Sequence, residues 1–384
     1  MKYEIIKLSE LVDTISDTKK IDKDSVVLIN TSDVFNGEVL NHEYVENNNL
    51  RGQFKKRFRK NDILYSEIRP ANKRFAYVDF ESDDYIASTK LMVLRRKSDK
   101  ITNRYLYYCI TCDSFIERMQ HLAEARSGTF PQITFDVLKN ENVKVPTIEY
   151  QNKICMILDN INNKIKINDK IKNNLNELII SYYSQYLNEM SDFEELDIRE
   201  IFEFDTGVEP GSKNYLEKPE QDTVNFYRVG DMDSKCNTYV KKELTKGKYI
   251  NQDDIVVSFD ATIGRIGYCL EGSYSTGMKK ISIKEKYKDI IDNSIVFAYF
   301  SDEKTKNIMR ENAIGTTILH ASSSIDYMKF KYNKELLQKY NNVISPLFEK
   351  MKQIKKENLE LINLNMILMS QLMNCKIDLD NFEV

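Results

Sequence analysis

The chain is short of the residues from which active sites are usually assembled. It has 12 glycines, 6 prolines and 3 histidines in 384 residues. No two prolines are adjacent, so the Asn/Asp-Pro-Pro-aromatic motif that holds the amino group of a flipped base is absent. No Gly-x-Gly follows a strand, which leaves no nucleotide cradle. Glu-x-Lys and Pro-Asp are also missing, which counts against a common nuclease core. His42, His121 and His320 lie too far apart in sequence to form a metal spacing. The expectation is a chain with no catalytic, cofactor-binding or metal residues of its own.

The six cysteines show no scaffold spacing, which suits a reducing cytoplasm. Cys109-Ile-Thr-Cys112 resembles a redox or metal pair, but it sits in an apolar helical run among tyrosines with no second pair; packing is the better reading. No apolar run approaches the 18 residues of a membrane span, and the first residues turn acidic too early for a signal peptide. A net charge of −3 argues weakly against a nucleic-acid partner, although a whole-chain balance hides local patches.

What is present is a plan. From Val145 to Leu187 apolar residues return every three or four positions: Ile154, Leu158, Ile161, Ile165, Ile171, Leu175, Leu178 and Tyr182. That is a long amphipathic helix, with Thr147 as N-cap and Glu149 in the first turn. At about 1.5 Å per residue it makes a rod of roughly 55 Å. A second rod runs from Tyr340 through Ile344, Leu347, Met351, Ile354, Asn358, Leu361, Asn365 and Leu368 to Leu372, stepping 4-3-4-3. Such a heptad seam is made to pair with another helix. Pro346 predicts a kink there, or a restart with Ser345 as the new cap.

Each rod follows a strand-rich segment, and the second segment replays the first. FYRVGDM (226–232) answers LINTSDV (28–34), and DDIVVSFDATIGRIGYCL (253–270) answers NDILYSEIRPANKRFAYVD (61–79). YSTGMKKISI (274–283) answers YIASTKLMVL (85–94); NSIVFAYFSDEKTKNIMR (293–310) answers the helical run 104–121; AIGTTILHAS (313–322) answers the ARSGTF loop. The predicted organisation is an α+β domain over 1–146, a helical region over 147–190, a second α+β domain over 191–333, a second helical region over 334–375, and a tail over 376–384. The two long helices are expected to pair as an antiparallel coiled coil.

VPTIEYQNKICMILDNINNKI (145–165) resembles the conserved region after the first recognition domain in specificity subunits of type I restriction-modification systems. NDILYS and DDIVVSFDATIGRIG are similar to the strand-and-turn inside each recognition domain of that family. The resemblance spans essentially the whole chain. It implies a non-catalytic adaptor that reads a bipartite site in double-stranded DNA. Two methyltransferase subunits would bind along the helical regions and supply S-adenosylmethionine chemistry; restriction subunits would bring ATP-driven translocation. The alternative is a free-standing DNA-binding or decoy relative that recruits no nuclease.

Residues suited to DNA contact are local. RGQFKKRFRK (51–60) carries Lys55, Lys56, Arg57 and Arg59, with Arg51 and Lys60 beside them. The turn IRPANKR adds Arg69, Asn72 and Arg74, and its counterpart adds Arg265. Lys90 and the pair Lys279 and Lys280 are read as equivalent positions; Arg126 and Thr129 match Thr316, Thr317 and His320; Lys213 completes the set. Arg and Lys can fork onto guanine, and Thr can meet several bases, while most basic contacts go to phosphate. Partner contact is expected along the rods at Ile154, Leu158, Ile161, Ile165, Leu361, Met366 and Met369.

Overall fold

The computed structural model describes residues 2–380 other than Asn49, Arg51, Ser234, Lys235, Thr317 and Ile318. Its packing divides the chain into two units. One is Met1–Lys164 with Ile362–Val384, and the other is Ile165–Leu361.

In the first unit, strand Tyr3–Lys7 pairs antiparallel with Asn142–Pro146, which closes the domain from its two ends. One four-stranded sheet orders 44–46, 25–29, 85–88 and 54–57; a second orders 12–15, 91–96, 63–66 and 75–77. The second unit repeats the scheme. Glu194–Asp197 pairs with Lys329–Tyr332, 202–206, 278–283, 255–258 and 266–267 form a sheet in that order, and 239–241, 223–227 and 273–274 form another. Each unit even keeps one parallel pairing, 25–29 with 85–88 and 223–227 with 273–274. Apart from strand 54–57, which has no counterpart among the described residues of the second unit, the same pairing order recurs in two stretches of little shared sequence, the mark of a duplicated domain.

The helical run expected over 104–123 is two helices, Asn103–Thr111 and Asp113–Arg126, broken where Cys112 turns extended (ψ 147°). All residues from Tyr105 to Thr111 are buried, more sides than one amphipathic helix can cover, so the chain breaks and re-aims Phe115 and Ile116 into the same core. The same break recurs at Asp302 (ψ 134°), whose carboxylate caps the N–H groups of Lys304 and Thr305. Cys109 and Cys112 are buried, and burial pushes the Cys109 thiol well up, as packing residues behave.

The long helices run Ile148–Glu189 and Lys334–Met373. The first, at 42 residues, is about 63 Å long, somewhat more than expected. They pair antiparallel in both units. Within the first unit Asn365 donates to Asn162 Oδ1 at 2.9 Å. Within the second, Asn168 donates to Asn358 Oδ1 at 2.9 Å, and the rings of Tyr186 and Tyr340 meet at 5.8 Å. The seam on the second helix follows the heptad reading, with Tyr340, Ile344, Met351, Ile354 and Leu372 buried. On the first helix the reading drifts, because Ile171 and Leu178 are exposed while Asn168, Ile179, Tyr183 and Tyr186 face inward. A straight helix at 3.6 residues per turn rotates away from a fixed list of apolar positions, and here polar Asn168 takes the seam instead.

Pro346 does not restart the second helix, which continues through it. Pro346 is exposed, and so is Asn342, the residue whose carbonyl loses its N–H partner. Leu337, Tyr340, Ile344 and Phe348 are buried around it. At about 1.5–3 kcal/mol per buried side chain, their packing outweighs the roughly 3 kcal/mol that a mid-helix proline costs.

Candidate nucleic-acid interface

In each unit the turn after a buried strand is tied to the loop before the last strand. In the first unit Ile133 N–H donates to Glu67 O at 2.9 Å and Arg69 N–H donates to Pro131 O at 3.0 Å. In the second, Ala321 N–H donates to Phe259 O at 2.7 Å and Ala261 N–H donates to Leu319 O at 3.1 Å. Between these bonds lie the isolated bridges Ile68 with Gln132 and Asp260 with His320. Arg69 (φ 43°) and Ala261 (φ 59°) both adopt the left-handed conformation, which side-chain-bearing residues rarely enter. The same strained residue and the same two backbone bonds therefore occur twice.

The basic residues divide into committed and free ones. Lys56 spends its ammonium on the carbonyls of Thr89 (2.9 Å) and Leu91 (2.8 Å), and burial lowers its pKa. Arg57 is half-buried in a strand, its N–H bonded to Asp17 O. Arg74 donates to Ser32 O at 3.0 Å and lies over the Phe35 ring, bracing the 31–35 segment. Lys55, Arg59 and Arg69 are exposed and form no ion pair among the described residues. Asn72, Arg126 and Thr129 are exposed too, and Asn72 shares the short helical turn Pro70–Asn72 with Arg69 as its cap. Lys73 beside it is paired with Asp113 at 2.7 Å. Arg51 lies outside the described residues.

In the second unit Lys213 and Thr316 are exposed. Arg265 pairs with Asp233 at 2.7 Å, and His320 Nδ1 sits 2.9 Å from Asp260 Oδ1. Lys280 donates to Tyr249 O at 3.1 Å. Lys279 is buried, donates to Thr206 Oγ1 at 2.7 Å and lies over Phe259; burial lowers its pKa. Its expected equivalence with Lys90 is off by two residues. Met278 pairs with Ser258 as Leu91 pairs with Ser66, so Gly277 stands where exposed Lys90 stands. A Cβ on Gly277 would approach Asp260 and Val229 at 3.2 Å, which leaves no room there for a lysine without movement. Thr317 lies outside the described residues.

Several residues around the ties escaped the sequence reading. Gln132 occupies the place of His320, and Lys90 reaches both its Oε1 (3.4 Å) and the Glu67 carboxylate (3.8 Å). Gln120 holds the turn by accepting from Ala71 N–H at 3.0 Å.

On the rods, Ile154 and Leu158 are wholly buried in the first unit's core with Leu372 and Met373, and offer a partner no surface. Met369 packs against that core, and Ile161, Ile165 and Leu361 are half-buried. Met366 remains exposed, with Ile362 and Ile367 nearby on the same helix. Among the described residues no three His, Cys, Asp or Glu side chains gather as a metal site, and no helix is long and apolar enough to cross a membrane.

Two tied turn-and-loop elements on duplicated α+β domains, each domain followed by a long helix, define a protein built from a doubled domain-and-helix unit. The family described as type I restriction modification DNA specificity domain matches residues 1–177 and again 190–326, and the chain belongs to that family. It is 38% identical over 162 residues to the type I restriction enzyme HindI specificity subunit of Haemophilus influenzae. That match covers 42% of this chain and 35% of the relative, so the chain spans about a third of the length of the curated relative it matches. A solved type I S subunit from M. genitalium shares the fold with a TM-score of 0.54 at 17% identity, over 97% of this chain and 96% of that one. The HsdS subunit from Thermoanaerobacter tengcongensis aligns over 98% and 97% at 14% identity, with a TM-score of 0.42.

Proposed function

We propose that this chain is the DNA-reading subunit of a type I restriction-modification complex, and that it recognises a bipartite site with one half assigned to each α+β domain. The observation that carries this is the duplicated turn-and-loop tie, present once per domain, with exposed Arg69 in the first; Lys55 and Arg59 are exposed elsewhere in that domain, and Lys213 in the second. A single half-site of about three base pairs recurs too often to mark a genomic address, since each mismatch costs only about 1–3 kcal/mol. Two half-sites at a fixed gap multiply the selectivity, and a stiff helical pair is a suitable spacer. The chain itself performs no catalysis. Methyltransferase subunits that bind S-adenosylmethionine would dock along the helices, with Met366 on the exposed side, and ATP-using restriction subunits would join them.

The test is long-read mapping of methylated adenines in cells with and without the gene. A bipartite motif that disappears with the gene supports the reading; an unchanged methylation map refutes it.

A further inference from the structure

The duplicated tie is built from backbone bonds alone, so its geometry does not depend on which side chains it carries. What differs between the copies is the pair of bridged side chains, Gln132 in one and His320 in the other. Each is aimed by a charged neighbour. Lys90 donates to Gln132 Oε1, and Asp260 faces His320 Nδ1. Among the described residues nothing bonds Gln132 Nε2 or His320 Nε2. Each position also sets a carboxylate beside the aimed side chain's neighbourhood, Glu67 against Lys90 in one and Asp260 against His320 in the other. Phosphate docking calls for net positive charge, and carboxylates at this spot would oppose it. Hydrogen bonding to base edges calls instead for oriented donors and acceptors.

We propose that Gln132 and His320 are the equivalent specificity-determining residues of the two domains, each contacting a base edge in its own half-site. This rests on the DNA-reading function proposed above. Gln132 can donate from Nε2 while the free lone pair of Oε1 accepts, the two-point pattern that suits adenine N7 and N6. His320, held at Nδ1 by Asp260, presents Nε2 to a base edge. The same backbone tie with unlike side chains lets one domain fold read two different sequences.

The test uses the full chain, with whatever subunits co-purify with it, on a library of duplexes randomised over the methylated motif and its flanks. Gln132→Ala is expected to lower discrimination about tenfold at one base pair of one half-site, with the other half-site and the salt slope unchanged. His320→Ala should do the same in the other half-site only. Gln132→His should change the preferred base while binding stays tight, which guards against a merely unfolded alanine variant. Equal weakening on all sequences with a shallower salt slope would assign these residues to phosphate and overturn the proposal. A selective wild type with unaltered variants would overturn it alone, and a wild type without any sequence preference would overturn the DNA-reading function with it.

Discussion

Lys355 carries a charge into the second unit that most proteins keep at the surface. Its ammonium donates to Tyr268 O at 2.8 Å and Met232 O at 3.1 Å and lies 4.3 Å from the Tyr268 ring centroid. Burial pushes its pKa down to about 8, against the pull of Asp233 and Cys269. The unfolded lysine, near 10.4, therefore binds its proton more firmly than the folded one between those values. Stability should rise with pH across that window and level off above it. The unfolding free energy of wild type relative to Lys355→Met should climb by up to about 1.4 kcal/mol per pH unit between pH 8 and 10. Chemical denaturation of both proteins at stepped pH reads it, and a constant difference would contradict it. The basic cluster permits a sharper sorting. Removing Lys55, Arg59 or Arg69 should each reduce the salt slope of DNA binding by about one. Lys56→Ala should leave the slope alone and lower stability, since its ammonium is already spent inside the fold. Such a distinction cannot be read from RGQFKKRFRK, where all six cations look alike.

At the level of elements, the seam was largely legible and the ties were not. Heptad spacing places Ile344, Met351 and Ile354 correctly because side-chain burial is what spacing encodes. The bonds from Ile133 to Glu67 and from Ala321 to Phe259 involve only backbone, which leaves no residue pattern to find. Lys279 was misplaced for a related reason: alignment by residue type put it with Lys90, whereas strand register decides the matter. The asparagines of the seam deserve a double-mutant cycle. Asn168 donates to both Asn358 Oδ1 and Glu357 Oε2, and Asn358 donates to Asp169 at 3.1 Å. Asn168→Leu alone should cost about 1–3 kcal/mol by stranding buried Asn358. The double leucine variant should recover most of that loss and loosen the register, visible as broader proteolysis of the helices. Pro346→Ala should raise the melting temperature, with a gain of up to about 3 kcal/mol if the Asn342 carbonyl regains its bond.

For the molecule as a whole, the doubled architecture was legible through repetition. Repetition does not depend on single-residue detail, so it survives low identity between the halves. Residue roles are harder, because a lysine in a sequence does not disclose whether a carbonyl or a solvent molecule awaits its ammonium.

The tail adds a point about how the first unit is completed. Lys144 donates to Asn374 O at 2.9 Å, Tyr150 bonds Asp378 and Asp380, and Leu379 is buried with Leu372 and Met373 in the same core as Ile6 and Leu11. The second unit, by contrast, is one uninterrupted stretch. On a ribosome, then, the segment made first must wait, unsealed, while the inserted one has all its residues in hand. Nascent chains stopped before Ile362 should expose the first core to a hydrophobic dye or to a chaperone, and release of the last residues should silence that signal.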